Sequence, residues 1–321
     1  MKAIIFPKYG SPDVLQLKEV EKPTPKDNEV LIKVHAASAN PLDWHRMRGE
    51  PFLARMGEGF LKPKNPKLGA DIAGRVEAVG SNVTEFQPGD EVFGSVGAGG
   101  FAEYVCAREK YFVLKPGNLS FEEAAAAPVV GFTALQGLRD TGQIQAGQKV
   151  LINGASGGVG TFAVQIAKSF GAEVTAVCSA RNLDMARSIG ADHVIDYAKE
   201  DFTQGSQRYD LIFAVNGFHP LSAYQRALSP RGIYICTGGT MPQILQAMLL
   251  GSVMSRKNGK MMGFMGIAKY NQKDLVCIRE LLETGKVVPV IEKSYPLCEI
   301  PMAMRYIAEG HARGKIVVQI G

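Results

Sequence analysis

The sequence predicts an α/β protein of two domains, one rich in β-strands and one built on a doubly wound parallel sheet. Its 321 residues suffice for about two domains of ordinary size. Short strands separated by turn residues occupy residues 1–120, and from Lys149 onward short apolar strands alternate with helices. A glycine-dense turn joins the first of these later strands to its helix.

The amino-terminal third favours β structure. Its β-branched runs are short and are punctuated by turns such as Pro88-Gly89-Asp90 and Pro116-Gly117-Asn118. Regularly spaced strands of this kind are typical of a barrel or a sandwich. The predicted strands are Lys2–Phe6, Val14–Val20, Glu29–Ala36, Ala73–Val79, Glu91–Gly94 and Ala102–Ala107.

The pattern changes at Ser120. Ser120 as N-cap and Glu123 three residues later form a capping box, which predicts an Ala-rich helix over Glu122–Ala127 that stops at Pro128. A second helix is predicted over Thr133–Thr141.

From Lys149 the chain alternates between strand and helix, which predicts parallel βαβ units. The strands are predicted at Val150–Ile152, Glu173–Cys178, His193–Ile195, Asp210–Ala214, Gly232–Cys236 and Lys260–Met265. The helices are predicted at Gly160–Phe170, Leu183–Ile189, Leu221–Leu228 and Pro242–Ser255. The tail is predicted to hold helices Gln272–Glu283 and Pro301–Ala308 and strands Ile291–Tyr295 and Lys315–Ile320, which can rejoin either domain.

Composition excludes several classes of protein. Hydrophobic residues make up 46% and charged residues 21%, which excludes global disorder. The absence of an apolar run long enough for a bilayer argues against a membrane protein. Met1 leads directly into the strand Lys2–Phe6 without a targeting pattern, so we expect a cytoplasmic location.

Charge and cysteine usage further limit the classes of ligand, metal and macromolecular partner that the sequence predicts. The net charge of +5 is mild, and the densest basic run, Lys62–Lys67, is broken by prolines. This argues for a solvated loop over a nucleic-acid surface, while a basic balance suits an anionic small ligand. The five cysteines are dispersed and form no C-x-x-C pair, which argues against a disulfide framework and a structural zinc site.

The glycine-dense turn has the spacing G-x-x-G-G-x-G between the strand Val150–Ile152 and the helix that follows. Glycines let the backbone approach a pyrophosphate, and a helix N-terminus stabilises its negative charge. This setting in a βαβ unit predicts a dinucleotide-binding Rossmann domain. The expected cofactor-binding residues of the turn are Ala155, Ser156, Gly157, Gly158 and Val159.

Two other interpretations of the turn stay open. It can be a tight connection without a ligand. It also fits G-x-S-x-G, the nucleophile elbow of α/β-hydrolases, with Ser156 as nucleophile and His193 or His311 as base. A β-rich segment precedes the turn where those hydrolases have βα units, and His193 stands in an apparent buried strand, so we prefer the phosphate site.

The end of the second strand predicts NADPH over NADH. An NAD site has an acidic residue there for the ribose hydroxyl, but Cys178 is followed by no carboxylate. Ser179 and Asn182 can hydrogen-bond a 2′-phosphate, and Arg181 supplies positive charge. The alternative is that Arg181 is a solvated residue at a helix start and that cofactor specificity is loose.

Several motifs in order give the chain a family resemblance. They are Ala39–Asp43, Leu68–Val76, Phe86–Val92, Gly99–Tyr104, the glycine-dense turn and Leu183–Tyr197. With them the chain resembles the medium-chain dehydrogenase/reductase superfamily, in its zinc-less quinone oxidoreductase (zeta-crystallin-like) and enone reductase branch. The resemblance implies a GroES-like β-rich catalytic domain (residues 1–120 and 266–321) with an inserted Rossmann domain (residues 121–265).

The resemblance also bears on metal and substrate. The three zinc ligands of the zinc alcohol dehydrogenases fall on Asn40, Ala70 and Val129, so we expect no metal. Without a Lewis acid, quinones and α,β-unsaturated carbonyls (enones) are better hydride acceptors than plain carbonyls. The alternatives are a general NADPH-dependent aldehyde or ketone reductase, or a non-catalytic NADPH-binding protein that senses the nucleotide or binds nucleic acid.

Further site residues follow from the resemblance. Asn40 and Asp43 are the expected catalytic residues, at the nicotinamide-ribose end of the cofactor, although Asn40-Pro41 equally fits a turn. Two of the other expected cofactor-binding residues have an alternative interpretation: Thr133 equally fits a helix cap, and Lys315 equally fits a surface charge. Tyr197 is expected near the 2′-phosphate, and Phe264 and Met265 are expected beside the nicotinamide. The residues expected after the next strands are Asn216, Gly238, Gly239 and Thr240.

The apolar strand Met261–Met265 is expected at the edge of the parallel sheet. A hydrophobic edge strand needs a partner. Relatives in the family dimerise through this strand, so the resemblance implies a symmetric homodimer with a continuous sheet.

Overall fold

The computed structural model describes residues 1–52, 55–238, 244–249, 259–310 and 312–320. The predicted fold class is confirmed, with a β-rich part and a parallel sheet flanked by helices. The strands are β1 (Lys2–Ile5), β2 (Gln16–Glu19), β3 (Glu29–Ala39), β4 (Asp71–Val79), β5 (Glu91–Ser95), β6 (Tyr104–Arg108), β7 (Phe112–Leu114), β8 (Lys149–Asn153), β9 (Glu173–Cys178), β10 (His193–Asp196), β11 (Tyr209–Ala214), β12 (Leu228–Cys236), β13 (Met261–Phe264), β14 (Ile291–Pro296) and β15 (Lys315–Gln319).

The helices of the described residues surround these strands. They are α1 (Pro41–Arg48), α2 (Arg55–Glu58), α3 (Phe121–Ala125), α4 (Pro128–Leu135), α5 (Gly158–Ser169), α6 (Leu183–Ser188), α7 (Leu221–Ala227), α8 (244–249), α9 (Gln272–Glu283) and α10 (Ile300–Ala308). None of them combines the length and the hydrophobicity that a membrane crossing requires.

The chain divides into two compact units. The first contains Met1–Val129, Tyr270–Glu283 and Pro289–Gly321, and the second contains Val130–Lys269 and Thr284–Val288. These limits differ from the predicted domain limits of 120/121 and 265/266. Helix α3 belongs to the first unit because it packs on β3 and β4, where the Phe121 ring stacks on His35 at 4.4 Å.

The first unit is organised by a seven-stranded sheet. Its order is β14-β15-β3-β4-β5-β7, and β6 also pairs with β3. Strand β15 runs antiparallel to β3 with Ile316 opposite Ala39, and β4 runs antiparallel to β3 with Asp71 opposite Ser38. This register brings the start of β15, the end of β3 and the start of β4 together.

The second unit holds a six-stranded, wholly parallel sheet in the order β10-β9-β8-β11-β12-β13. Its strands are short and apolar, as parallel strands covered on both faces require. All six carboxyl ends lie along one edge of the sheet. Strand β13 borders the sheet among the described residues.

Three local predictions were wrong. The strand predicted over Val14–Val20 is shorter, at Gln16–Glu19, because Val14 belongs to a short 3-10 turn over Pro12–Val14. Helix α1 was missed because its residues lack an apolar period, although Asn40 is a favoured N-cap and Pro41 suits a first helical position. Helix α4 begins at Pro128, before the predicted start at Thr133, because the missing N–H of proline costs nothing in a first turn.

Candidate functional site

The glycine-dense turn has the backbone geometry of a strand-to-helix crossing. Strand β8 ends at Asn153, and α5 begins at Gly158 with Gly157 as its N-cap. The N–H groups of Gly154 and Ala155 donate to Val177 O on β9 at 3.1 and 3.0 Å. These bonds anchor the turn to the neighbouring strand.

Two glycines of the turn serve different ends. A Cβ on Gly160 would lie 2.1 Å from Gly154 O, so only glycine lets the helix pack on the turn. A Cβ on Gly157 would meet its nearest atom, Gly154 O, only at 3.9 Å, so the backbone there borders open space. The N–H groups of the first turn of a helix lack intrahelical acceptors and carry partial positive charge, which suits a pyrophosphate beside this twelve-residue helix.

The end of β9 collects the residues predicted to contact the 2′-phosphate. Ser179 caps a 3-10 turn over Ala180–Asn182, and the amide of Asn182 donates to Ser179 Oγ at 3.1 Å. Arg181 is exposed, whereas Asn182 is buried. Tyr197, which follows β10, donates its N–H to Cys178 O at 3.2 Å and exposes its ring. The structure therefore brings these four residues to one corner of the sheet edge.

The remaining strand ends carry further predicted residues. Asn216 follows β11 and donates its N–H to Asn153 O at 3.1 Å. Gly238 follows β12 and accepts from Cys236 Sγ at 3.0 Å, and Met265 N donates to Cys236 O at 3.0 Å. Phe264 ends β13. Gly239 and Thr240 lie outside the described residues.

Thr133 lies inside α4, so its interpretation as a helix cap was wrong. The helix starts five residues earlier, at Pro128, because a proline is accepted at a first helical position. A π-helical segment, Gln136–Thr141, follows α4, and the Gln136 amide bonds both the O and the N of Lys269 at 2.7 and 2.9 Å.

The nucleophile-elbow alternative fails for His193. His193 begins β10, whereas Ser156 follows the end of β8 in the same parallel sheet. The two side chains therefore stand at opposite edges of the sheet. His193 was also expected to be buried, but its side chain is 61% exposed and lies 3.0 Å from Glu173. His311 is outside the described part of the chain.

The first unit contains a buried polar cluster, which we define as Asn40, Asp43, Asp71 and Lys315. All four side chains are at most 5% exposed. Asn40 Nδ2 donates to Asp71 Oδ2 at 3.0 Å, and Lys315 Nζ donates to Asn40 Oδ1 at 2.6 Å. The two carboxylate oxygens of Asp43 accept from the backbone N–H groups of Asn40 and Gly69 at 2.9 and 2.8 Å.

This placement settles two alternatives from the sequence. Asn40 is the N-cap of α1, with Asp43 as the third helical residue, so the interpretation as a simple turn was wrong. Lys315 is 3% exposed, so its interpretation as a surface charge was also wrong. The register of β15 against β3 turns this side chain inward.

Burial dominates the electrostatics of the cluster. It raises the pKa of Asp43 to about 6, against the lowering effect of the Gly69 and Asn40 N–H groups. Burial also raises the pKa of Asp71 and lowers the pKa of Lys315, and each charge opposes the shift of the other. Tyr270, whose pKa burial raises to about 12, is a neutral phenol beside these carboxylates.

The cluster does not offer the ligands of a catalytic zinc ion. Ala70 and Val129 have no donor side chain, and Asn40 Oδ1 already accepts from an ammonium. A buried cation at that atom opposes a second cation, and thiolate or imidazole donors are lacking at these positions. Among the residues that the structure describes, no group of three or more His, Cys, Asp or Glu side chains is arranged to hold a metal.

Sequence reasoning missed two residues of these regions. Asp71 was overlooked, although a carboxylate that starts the run Asp71–Gly74, apolar in its other residues, signals a buried partner. Asn153, at the end of β8, was also missed; its Nδ2 donates to Tyr224 Oη at 2.9 Å and so ties the turn to α7. In both cases the partner lies far away in sequence.

Comparisons with known proteins agree with this architecture. A family model described as an alcohol dehydrogenase GroES-like domain matches residues 26–117, and one described as a zinc-binding dehydrogenase matches residues 189–318. The chloroplast envelope quinone oxidoreductase homolog of Arabidopsis thaliana is 37% identical over 99% of this chain and 98% of its own length. The chloroplastic NADPH-dependent alkenal/one oxidoreductase of the same plant is 34% identical over 99% of this chain and 79% of its own. The solved structure of the quinone oxidoreductase from Coxiella burnetii is 32% identical, with a TM-score of 0.86 over 100% of this chain and 99% of that one.

Proposed function

Because this chain belongs to the zinc-less quinone oxidoreductase branch of the medium-chain dehydrogenase/reductase superfamily, we propose that it transfers a hydride from NADPH to quinones or α,β-unsaturated carbonyl compounds. The observation that carries the proposal is the parallel sheet with a glycine-dense turn, joined to a chain-long likeness to an NADPH-dependent alkenal/one oxidoreductase. NADPH supplies the hydride when it is bound.

The residues of the second unit bind and orient the cofactor. The first-turn N–H groups of α5 would hold the pyrophosphate, and Gly157 would let it approach the backbone. Ser179, Arg181 and Tyr197 would hold the 2′-phosphate, while the amide of buried Asn182 donates to Ser179 Oγ. Asn216, Gly238, Phe264 and Met265 would extend the cofactor site along the sheet edge.

We assign two residues of the first unit, Asn40 and Asp43, to catalysis at the nicotinamide-ribose end. Asn40 and Asp43 keep this assignment as a proposal that rests on the family resemblance. Their buried side chains are fully engaged with neighbours, so they act by fixing the start of α1 and the Gly69 backbone. No step of the proposed reaction uses a metal ion.

The test is NADPH oxidation followed by absorbance, with NADH in parallel, against one ortho-quinone and one medium-chain enone. We expect NADPH to be consumed faster than NADH with at least one acceptor. The ratio of the rates with the quinone and with the enone shows whether the protein is mainly a quinone oxidoreductase or an enone reductase. Tight NADPH binding without turnover on either acceptor would refute the reductase proposal and favour a plain carbonyl substrate or nucleotide sensing.

We also propose that the protein forms a symmetric homodimer through β13. Met261 is 50% exposed on this edge strand, and an apolar edge is a liability unless it is covered. Light scattering is expected to give twice the chain mass of 34.6 kDa. Gly263→Pro, which removes one backbone donor from the strand, is expected to give the monomer, whereas Gly205→Ala in a remote loop is a control that stays dimeric. A wild-type monomer contradicts the proposal.

A cytoplasmic location remains a prediction, since similar proteins carry the words chloroplastic or mitochondrial in their names. Cell fractionation with an antibody to the native chain tests it. The expectation that the protein binds no nucleic acid rests on its mild, scattered charge, and a salt-sensitive shift of labelled RNA would contradict it.

A further inference from the structure

Lys315 is a buried cation whose contacts all point into the first unit. Its Nζ donates to Asn40 Oδ1 at 2.6 Å and to Ala39 O at 3.4 Å, and it lies 4.0 Å from Asp71 Oδ2. Burial of an ammonium is costly unless it is paired and hydrogen-bonded. These contacts therefore hold the Lys315 ammonium in the interior of the first unit.

The cation decides how the Asn40 amide is oriented. With Oδ1 facing the ammonium, Nδ2 donates to Asp71 Oδ2 and to Ser38 O at 3.0 and 3.3 Å. A flipped amide would place N–H groups against a cation and a carbonyl oxygen against a carboxylate. Lys315 and Asp71 together thus select one orientation.

Asp71 extends the same arrangement to another element. Its second oxygen, Oδ1, accepts from the N–H of Val129 in α4 at 3.2 Å. One carboxylate therefore joins Asn40, after the end of β3, to Val129 of the same unit. The resemblance places both residues at positions that hold zinc in zinc-dependent relatives. The other charged group of the cluster is Asp43, and Arg46 and the neutral Tyr270 phenol lie nearby.

We propose that Lys315 is a positioning residue that, paired with Asp71, supplies from inside the protein the fixed positive charge that zinc-dependent relatives obtain from their metal ion. Its work is to hold Asn40 and the start of α1, and it does not bind cofactor phosphate. The expected effect of Lys315 on catalysis rests on the proposed function. The expected effects of Lys315 on stability and on NADPH binding do not rest on it.

The first test compares Lys315→Met with Lys33→Met, which removes an exposed lysine from β3. Lys315→Met is expected to lower kcat at least tenfold while the dissociation constant of NADPH, measured by fluorescence titration, changes less than twofold. Lys33→Met is expected to change neither. A tenfold weakening of NADPH binding with kcat preserved would overturn the inference in favour of a phosphate ligand.

The second test stays informative if Lys315→Met folds poorly. Removing one partner of a buried pair is expected to lower the unfolding midpoint by roughly 10 °C. The double variant Lys315→Met/Asp71→Asn leaves neither charge and is expected to regain at least half of that loss. The proposed pairing of Lys315 with Asp71 would be refuted by either of two results. One is a double variant that is no more stable than Lys315→Met, and the other is an unchanged unfolding midpoint in Lys315→Met. Failure of the wild type to oxidise NADPH would instead refute the proposed function and leave this cycle intact.

Discussion

The glycine-dense turn and the buried polar cluster are built in opposite ways. The turn uses backbone groups from eight consecutive residues, Asn153–Gly160, and its geometry depends on the absence of side chains. The cluster uses side chains, and Asn40 and Lys315 are 275 positions apart. The geometry of the turn can be altered by one added methyl group. The geometry of the cluster depends on the balance of charge among all its side chains.

The largest expected effect comes from filling the turn. Gly160→Val places a branched side chain where a Cβ already meets Gly154 O at 2.1 Å, so the helix must move away from the turn. NADPH binding is expected to weaken about 100-fold, or roughly 3 kcal/mol. Isothermal titration measures this, with Gly205→Ala, whose Cβ would meet no atom closer than 3.9 Å, as the control. Unchanged affinity in Gly160→Val would remove the turn from the cofactor site.

The buried polar cluster is expected to make the stability of the protein depend on pH. The pKa of Asp43 is about 6 in the folded protein and 3.8 as the reference value, so the folded state binds the proton more tightly. Its contribution to stability is therefore greatest below about pH 4 and is lost as pH rises through 6, a change of about 3 kcal/mol. Urea unfolding of wild type and Asp43→Asn from pH 4 to pH 7 measures it.

Wild type is expected to lose stability relative to Asp43→Asn over that range, because the amide does not titrate. Gly205→Ala, which removes no titratable group, is the control and should run parallel to wild type. Parallel curves for wild type and Asp43→Asn would mean that Asp43 titrates normally.

A smaller effect separates the two cofactors. Arg181→Ala is expected to weaken NADPH binding about tenfold and to leave NADH binding unchanged, because the charge meets only the 2′-phosphate. Fluorescence titration of both nucleotides measures this. Arg187→Ala, in α6 beyond the turn, is the matched control. Equal losses for NADPH and NADH would refute the assignment of Arg181.

The smallest expected effect is that of a metal chelator. Because Lys315 fills the cluster with positive charge, dialysis against a chelator is expected to leave NADPH oxidation unchanged. The assay is repeated after addition of zinc. A loss of activity that zinc restores would show that these residues hold a metal after all.

The contrast between the two regions also explains what could be predicted from the sequence. The turn, its flanking strand and helix, and the residues after β9 to β11 follow from patterns within a few positions of one another. The partners of Asn40 could not be predicted, because they depend on a register between β15 and β3 that no local pattern encodes. Thr133 was misplaced for a simpler reason, since a proline that was expected only to stop the first helix also begins the next.

His193 illustrates the remaining limit. Apolar neighbours made it appear buried, but its place at the start of β10 exposes it beside Glu173. Position along a strand decides exposure there, and sequence patterns locate strand ends only approximately.

The position of β15 between β14 and β3 has a consequence for synthesis on the ribosome. The segment Ala36–Ala39 of β3 pairs with a strand that is translated 276 positions after Ala39. At roughly 5–20 residues per second, that edge waits about 15–55 s for its partner. During this interval the nascent chain presents an open strand edge, the kind of surface that holdase chaperones and neighbouring nascent chains compete to cover.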